Sequence, residues 1–107
     1  MALTTLHTIG EEQLARARHA SNGRASTTVH HGSRLRQTLV ALTAGTRLAE
    51  HQSPGDATVL CLQGHVVLNV GEQGVDIPQG ALADVPKQRH DLVATEDSLV
   101  VLTVGVG

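Results

Sequence analysis

Phenylalanine, tyrosine and tryptophan are absent from this 107-residue chain, and cysteine and methionine occur once each. A core without rings has to come from Val, Leu, Ile and Ala, and each well-buried Val or Leu contributes roughly 1.5–3 kcal/mol. Hydrophobic residues make up 40% of the chain, enough to supply one such core. Missing rings also remove the surface on which single-stranded nucleic acid stacks its bases, and the net charge of −2 removes the electrostatic handle as well, so no nucleic-acid partner is expected. The lone Cys61 excludes an internal disulfide, and "MALTTLHTIGEE" has no secretory apolar run. No run reaches membrane-spanning length, so neither a membrane partner nor a location outside the cytoplasm is expected.

The length suits one domain. Charge is divided unevenly along it: residues 1–47 hold six Arg against two Glu, whereas residues 48–107 hold one Lys and one Arg against eight acids. Halves of opposite sign favour packing together, within a chain or between chains.

In "TIGEEQLARARHASNG", Thr8 and Glu11 stand at capping-box spacing, Glu12 and Arg16 at i, i+4, and Asn22-Gly23 supplies a stop. The apolar face, Ile9, Leu14 and Ala17, is thin, which predicts a short peripheral helix in an arm over residues 1–24. From residue 25 to 107 the pattern changes to short β-type runs separated by turn residues. Strands are predicted near 26–31, 34–42, 46–52, 57–62, 65–70, 73–77, 81–85, 89–94 and 98–104, with breaks such as Ser53-Pro54-Gly55-Asp56 and Pro78-Gln79-Gly80. So many short strands make the chain all-β, a sandwich or barrel.

The order of the turns carries a resemblance. Gly45, five residues, His51, one residue, Ser53, three residues, Ala57, six residues and Gly64 reproduce the spacing of the first cupin motif. Gly80, five residues, Pro86 and then His90 resemble the second motif, with the turn between Pro and His one residue shorter. Residues 35–104 therefore resemble a small cupin domain. The resemblance implies a jelly-roll β-barrel with a short N-terminal helix, and a homodimer.

A cupin metal site takes two His at i and i+2, a Glu and a further His. Here the resemblance carries over His51 and His90 as metal ligands, while Ser53 and Ala57 stand where a His and the Glu belong. Two imidazoles leave a divalent metal short of its usual three or four protein ligands. If position 57 points inward, Val59 and Cys61 point inward too, because side chains alternate along a strand. Cys61 is then either a third ligand or a buried small hydrophobe. Gln37, between Leu35 and Leu39, is a further candidate for the lumen. His30-His31 cannot chelate one ion from a regular strand, and His7, His19 and His65 are expected at the surface.

Three functions follow. The first is binding of a small organic ligand or anion in an apolar lumen whose polar points are Gln37, His51, Ser53, Cys61 and His90. The second is a metal-dependent enzyme with an altered ligand set. The third is a scaffold for dimerisation, with "SLVVLTV" supplying a strand edge.

Overall fold

The computed structural model describes residues 2–51 and 55–106, with only the backbone of Glu50 and His51. Among these residues helix α1 (Leu6–His19) precedes nine strands: β1 (Arg24–His31), β2 (Leu35–Leu42), β3 (Arg47–His51), β4 (Ala57–Gln63), β5 (His65–Val70), β6 (Gln73–Pro78), β7 (Leu82–Asp84), β8 (His90–Ala94) and β9 (Ser98–Gly105). They form a five-stranded sheet, β1-β2-β9-β4-β7, facing a four-stranded one, β3-β8-β5-β6. Every pairing is antiparallel, which is the jelly-roll architecture of two packed sheets. Among the described residues no helix is long and apolar enough to cross a membrane.

Two apolar cores explain the runs of Val and Leu. Between the sheets lie Val40, Leu42, Val59, Cys61, Val66, Leu68, Ile77, Leu92 and Val100. On the outer face of the five-stranded sheet, Leu14 and Ala17 of α1 pack on Leu39, Ala41, Leu99 and Val101. Successive residues of β2 and β9 thus enter alternate cores, which is why "LVAL" and "LVVL" are apolar without a break. This corrects two expectations. The final strand is not an edge, since β9 lies between β2 and β4, and the helix is not peripheral, since it completes the second core.

The predicted capping box does not form. The helix starts earlier, at Leu6, with Thr5 as N-cap and no side-chain cap bond, so Thr8 and Glu11 both sit inside it. The apolar contact of Leu6 with the outer core decides the start in place of a cap.

The motif glycines Gly45, Gly64 and Gly80 have φ of +84°, +88° and +85°. At Gly64, between β4 and β5, a β-carbon would also run into the Asp97 carbonyl oxygen and the Ser98 hydroxyl. The turn admits glycine alone, by conformation and by space.

Candidate functional site

In β8, His90, Leu92 and Ala94 share the inner face by alternation, and the backbone partner of His90 across the ladder is His51 of β3. His90 is only 4% exposed. Its Nδ1 donates to the Gln88 carbonyl oxygen at 2.9 Å. In the neutral ring that bond places the proton on Nδ1 and leaves Nε2 as the nitrogen with a lone pair.

Beside His90 lies a cavity of about 40 Å³ walled by Leu48, Ala57, Val59, Leu68, Val85, Leu92, Leu102 and Val104. That is room for a water or two, far below the ~300 Å³ at which small-molecule sites begin. Among the described residues, aliphatic side chains wall this part of the space between the sheets.

The other predicted site residues divide. Ala57 stands on the cavity wall, where its methyl group cannot ligate. Cys61 points inward as the alternation requires, but lies four residues further along β4, roughly 13 Å at strand rise. It is fully buried, its thiol donates to the Gln63 carbonyl oxygen at 3.5 Å, and burial pushes that thiol above its ordinary range. A protonated thiol away from the His90 cavity is no partner for that imidazole.

The register corrects the expectation for Gln37. It pairs with Thr103, to whose hydroxyl it donates at 3.1 Å, on the face that Leu39 and Ala41 turn toward α1. Because β2 is apolar on both faces, the flanking leucines could not reveal the side to which Gln37 belongs. Ser53 and the side chain of His51 lie outside the described residues. Among those described, no three His, Cys, Asp or Glu side chains stand together.

Two of the remaining histidines make local contacts. His31 Nε2 accepts from the Arg36 guanidinium at 3.1 Å, and half-buried His65 donates to Asp76 at 3.0 Å.

A larger hollow escaped the sequence reading. Where β1 and β3, the outer strands of the two sheets, stand apart, a cleft of about 470 Å³ is lined by Asn22, Arg24, Ser26, Val40, Leu48 and Leu102, among others. Arg24 and Ser26 pair with Leu42 and Val40, whose side chains are in the inner core, so both face inward at the open edge. The Arg24 guanidinium makes no hydrogen bond or ion pair among the described residues. Leu48 and Leu102 line both the cleft and the His90 cavity, so the two spaces are separated by these side chains. A signal existed in the sequence: the alternate residues Arg24, Ser26 and Thr28 are polar on what proves to be a core-facing side.

No family model and no curated protein matches the chain. Solved structures do match. The TT1209 protein of Thermus thermophilus is 26% identical, with 98% of each chain covered and a TM-score of 0.76. A cupin superfamily protein of Desulfitobacterium hafniense is 20% identical over 78% of each chain, with a TM-score of 0.73. KdgF from Halomonas sp. is 24% identical over 77% of this chain and 79% of its own, with a TM-score of 0.70. Two facing antiparallel sheets, motif glycines at positive φ and these likenesses lead to one conclusion: the chain has the fold of a small cupin domain.

Proposed function

We propose that this cupin domain binds a small organic anion in the cleft at the β1/β3 opening. One observation carries the reading: an Arg24 side chain without a described partner stands over an apolar wall in a cleft of about 470 Å³. That volume falls within the ~300–1,000 Å³ of small-molecule sites, and an apolar wall with one polar anchor is their usual make-up. Arg24 holds the anionic group and Ser26 donates beside it. Leu48 and Leu102 contact the carbon skeleton. With this ligand no bond need be made or broken, so the reading is one of binding.

Calorimetric titration with a panel of small carboxylates and phosphate esters tests it. At least one is expected to bind, and Arg24→Ala to weaken that binding by about tenfold or more, the worth of one charge-assisted hydrogen bond. A panel that binds Arg24→Ala as tightly as wild type would overturn the reading.

A second reading, a metal-dependent enzyme, is favoured only by the pairing of His51 with His90 across the ladder and by the Nδ1 bond that orients His90. Elemental analysis of untagged protein separates the two: about one metal per chain, lost on His90→Ala, would replace the first reading with this one. A homodimer belongs to the same proposal. The eight-residue outer strand β1 supports it, being uncharged from Ala25 to Val29, and a monomer in sedimentation at micromolar concentration would count against it.

A further inference from the structure

At one end of the barrel, segments distant in sequence meet around a second hollow of about 260 Å³. It is lined by Arg34 from the β1–β2 turn, Gly55 and Asp56 ahead of β4, Lys87 from the β7–β8 loop, and Gly105 and Val106. Backbone bonds tie the segments together: Val106 N–H donates to the Arg34 carbonyl, Gly105 N–H to the Asp56 carbonyl and Val85 N–H to the Ala57 carbonyl. Two of the lining residues, Gly55 and Gly105, bring their backbones close together. A β-carbon at Gly55 would come within 3.0 Å of the Gly105 carbonyl oxygen.

The charges around this hollow do not neutralise one another. Arg34, Lys87 and Asp56 make no side-chain hydrogen bond or ion pair among the described residues, so the carboxylate stands more than 4 Å from either cation. Two cations alone would accept any anion. Asp56 repels a phosphate dianion or a dicarboxylate and attracts a positive group instead. A ligand that matches all three carries a carboxylate and an ammonium close together.

We propose that this hollow binds a free α-amino acid, its carboxylate held by Arg34 and Lys87 and its ammonium by Asp56. The planar Arg34 fork suits a carboxylate, which it meets with two parallel bonds. The volume lies just below the range of drug-sized ligands, and Val106 is the one apolar side chain among the described lining residues, so the site takes small amino acids. It shares no lining residue with the Arg24 cleft, so each site can fail without the other.

The test is an amide NMR titration of the whole chain with L-alanine, acetate, methylammonium and inorganic phosphate in parallel. L-Alanine is expected to bind about tenfold or more tightly than acetate or methylammonium, with shifts at Arg34, Asp56 and Lys87, since each fragment leaves one charge unmatched. Arg34→Ala should weaken L-alanine by about tenfold. Asp56→Asn should weaken L-alanine and at the same time tighten acetate and phosphate, an inversion that a merely structural residue would not produce. Arg16→Ala, on the exposed face of α1, should leave every titration unchanged. Phosphate or acetate binding wild type as tightly as L-alanine would overturn the proposal. So would an Asp56→Asn variant, folded by its amide spectrum, that binds L-alanine as wild type does.

Discussion

At the scale of single residues, the strongest constraint falls on Gly64. Alanine there is held at φ +88° against the Asp97 carbonyl and the Ser98 hydroxyl. Gly64→Ala should cost at least about 3 kcal/mol, from backbone strain together with overpacking, and chemical denaturation read by far-UV circular dichroism measures it. Cys61 offers a second readout. Burial leaves its thiol protonated and covered, so a thiol-specific reagent should label the native protein orders of magnitude more slowly than the denatured one. Rapid labelling in native buffer would show that β4 opens locally. The spacing of Gly45, His51, Gly64 and His90 was legible in the sequence because turn chemistry is local. The face of Gln37 was not, because it depends on what covers the far side of β2.

At the scale of elements, α1 is held by its packing on the sheet and by one polar clasp. Arg18 donates two bonds to Asp97 Oδ2, and the backbone N–H of Ala44 donates to Oδ1 at 2.9 Å, joining the helix to the turns before β3 and β9. The Ala44 bond first, and then Arg18, holds the Asp97 carboxyl below its ordinary value of 3.8. Because the folded value is lowered, the clasp stabilises fully above the unfolded pKa and is lost as pH falls through the lowered one. Asp97→Asn should therefore lose about 1 kcal/mol or less near neutrality, and the gap to wild type should begin to narrow below roughly pH 4 and close as the pH falls through the lowered value. Gly10 faces the sheet from α1. Alanine within a helix ordinarily gains about 1 kcal/mol over glycine, but here its β-carbon would come within 2.6 Å of Leu99 Cδ1, a fully buried side chain. Gly10→Ala should thus be neutral or destabilising by thermal melting, and a full gain would mean that α1 rides higher on the sheet.

At the scale of the whole molecule, packing and binding compete for the same space. Leu102 takes part in the wall between the cleft and the His90 cavity, so Leu102→Ala should cost about 2 kcal/mol and merge the two, admitting larger ligands at Arg24. Calorimetry with ligands of increasing chain length checks that, and an unchanged size preference would show that the wall is built from other side chains. The sequence by itself determined the turns, the approximate strand positions and the all-β class, since hydrophobic alternation and turn residues act over a few neighbours. Only the tertiary structure decided that β9 is central, that α1 closes a second core and that Arg24 borders an open cleft. Arg34, Asp56 and Lys87 likewise come together only through the sheet order. Each of these depends on contacts between residues tens of positions apart, which local pattern does not encode.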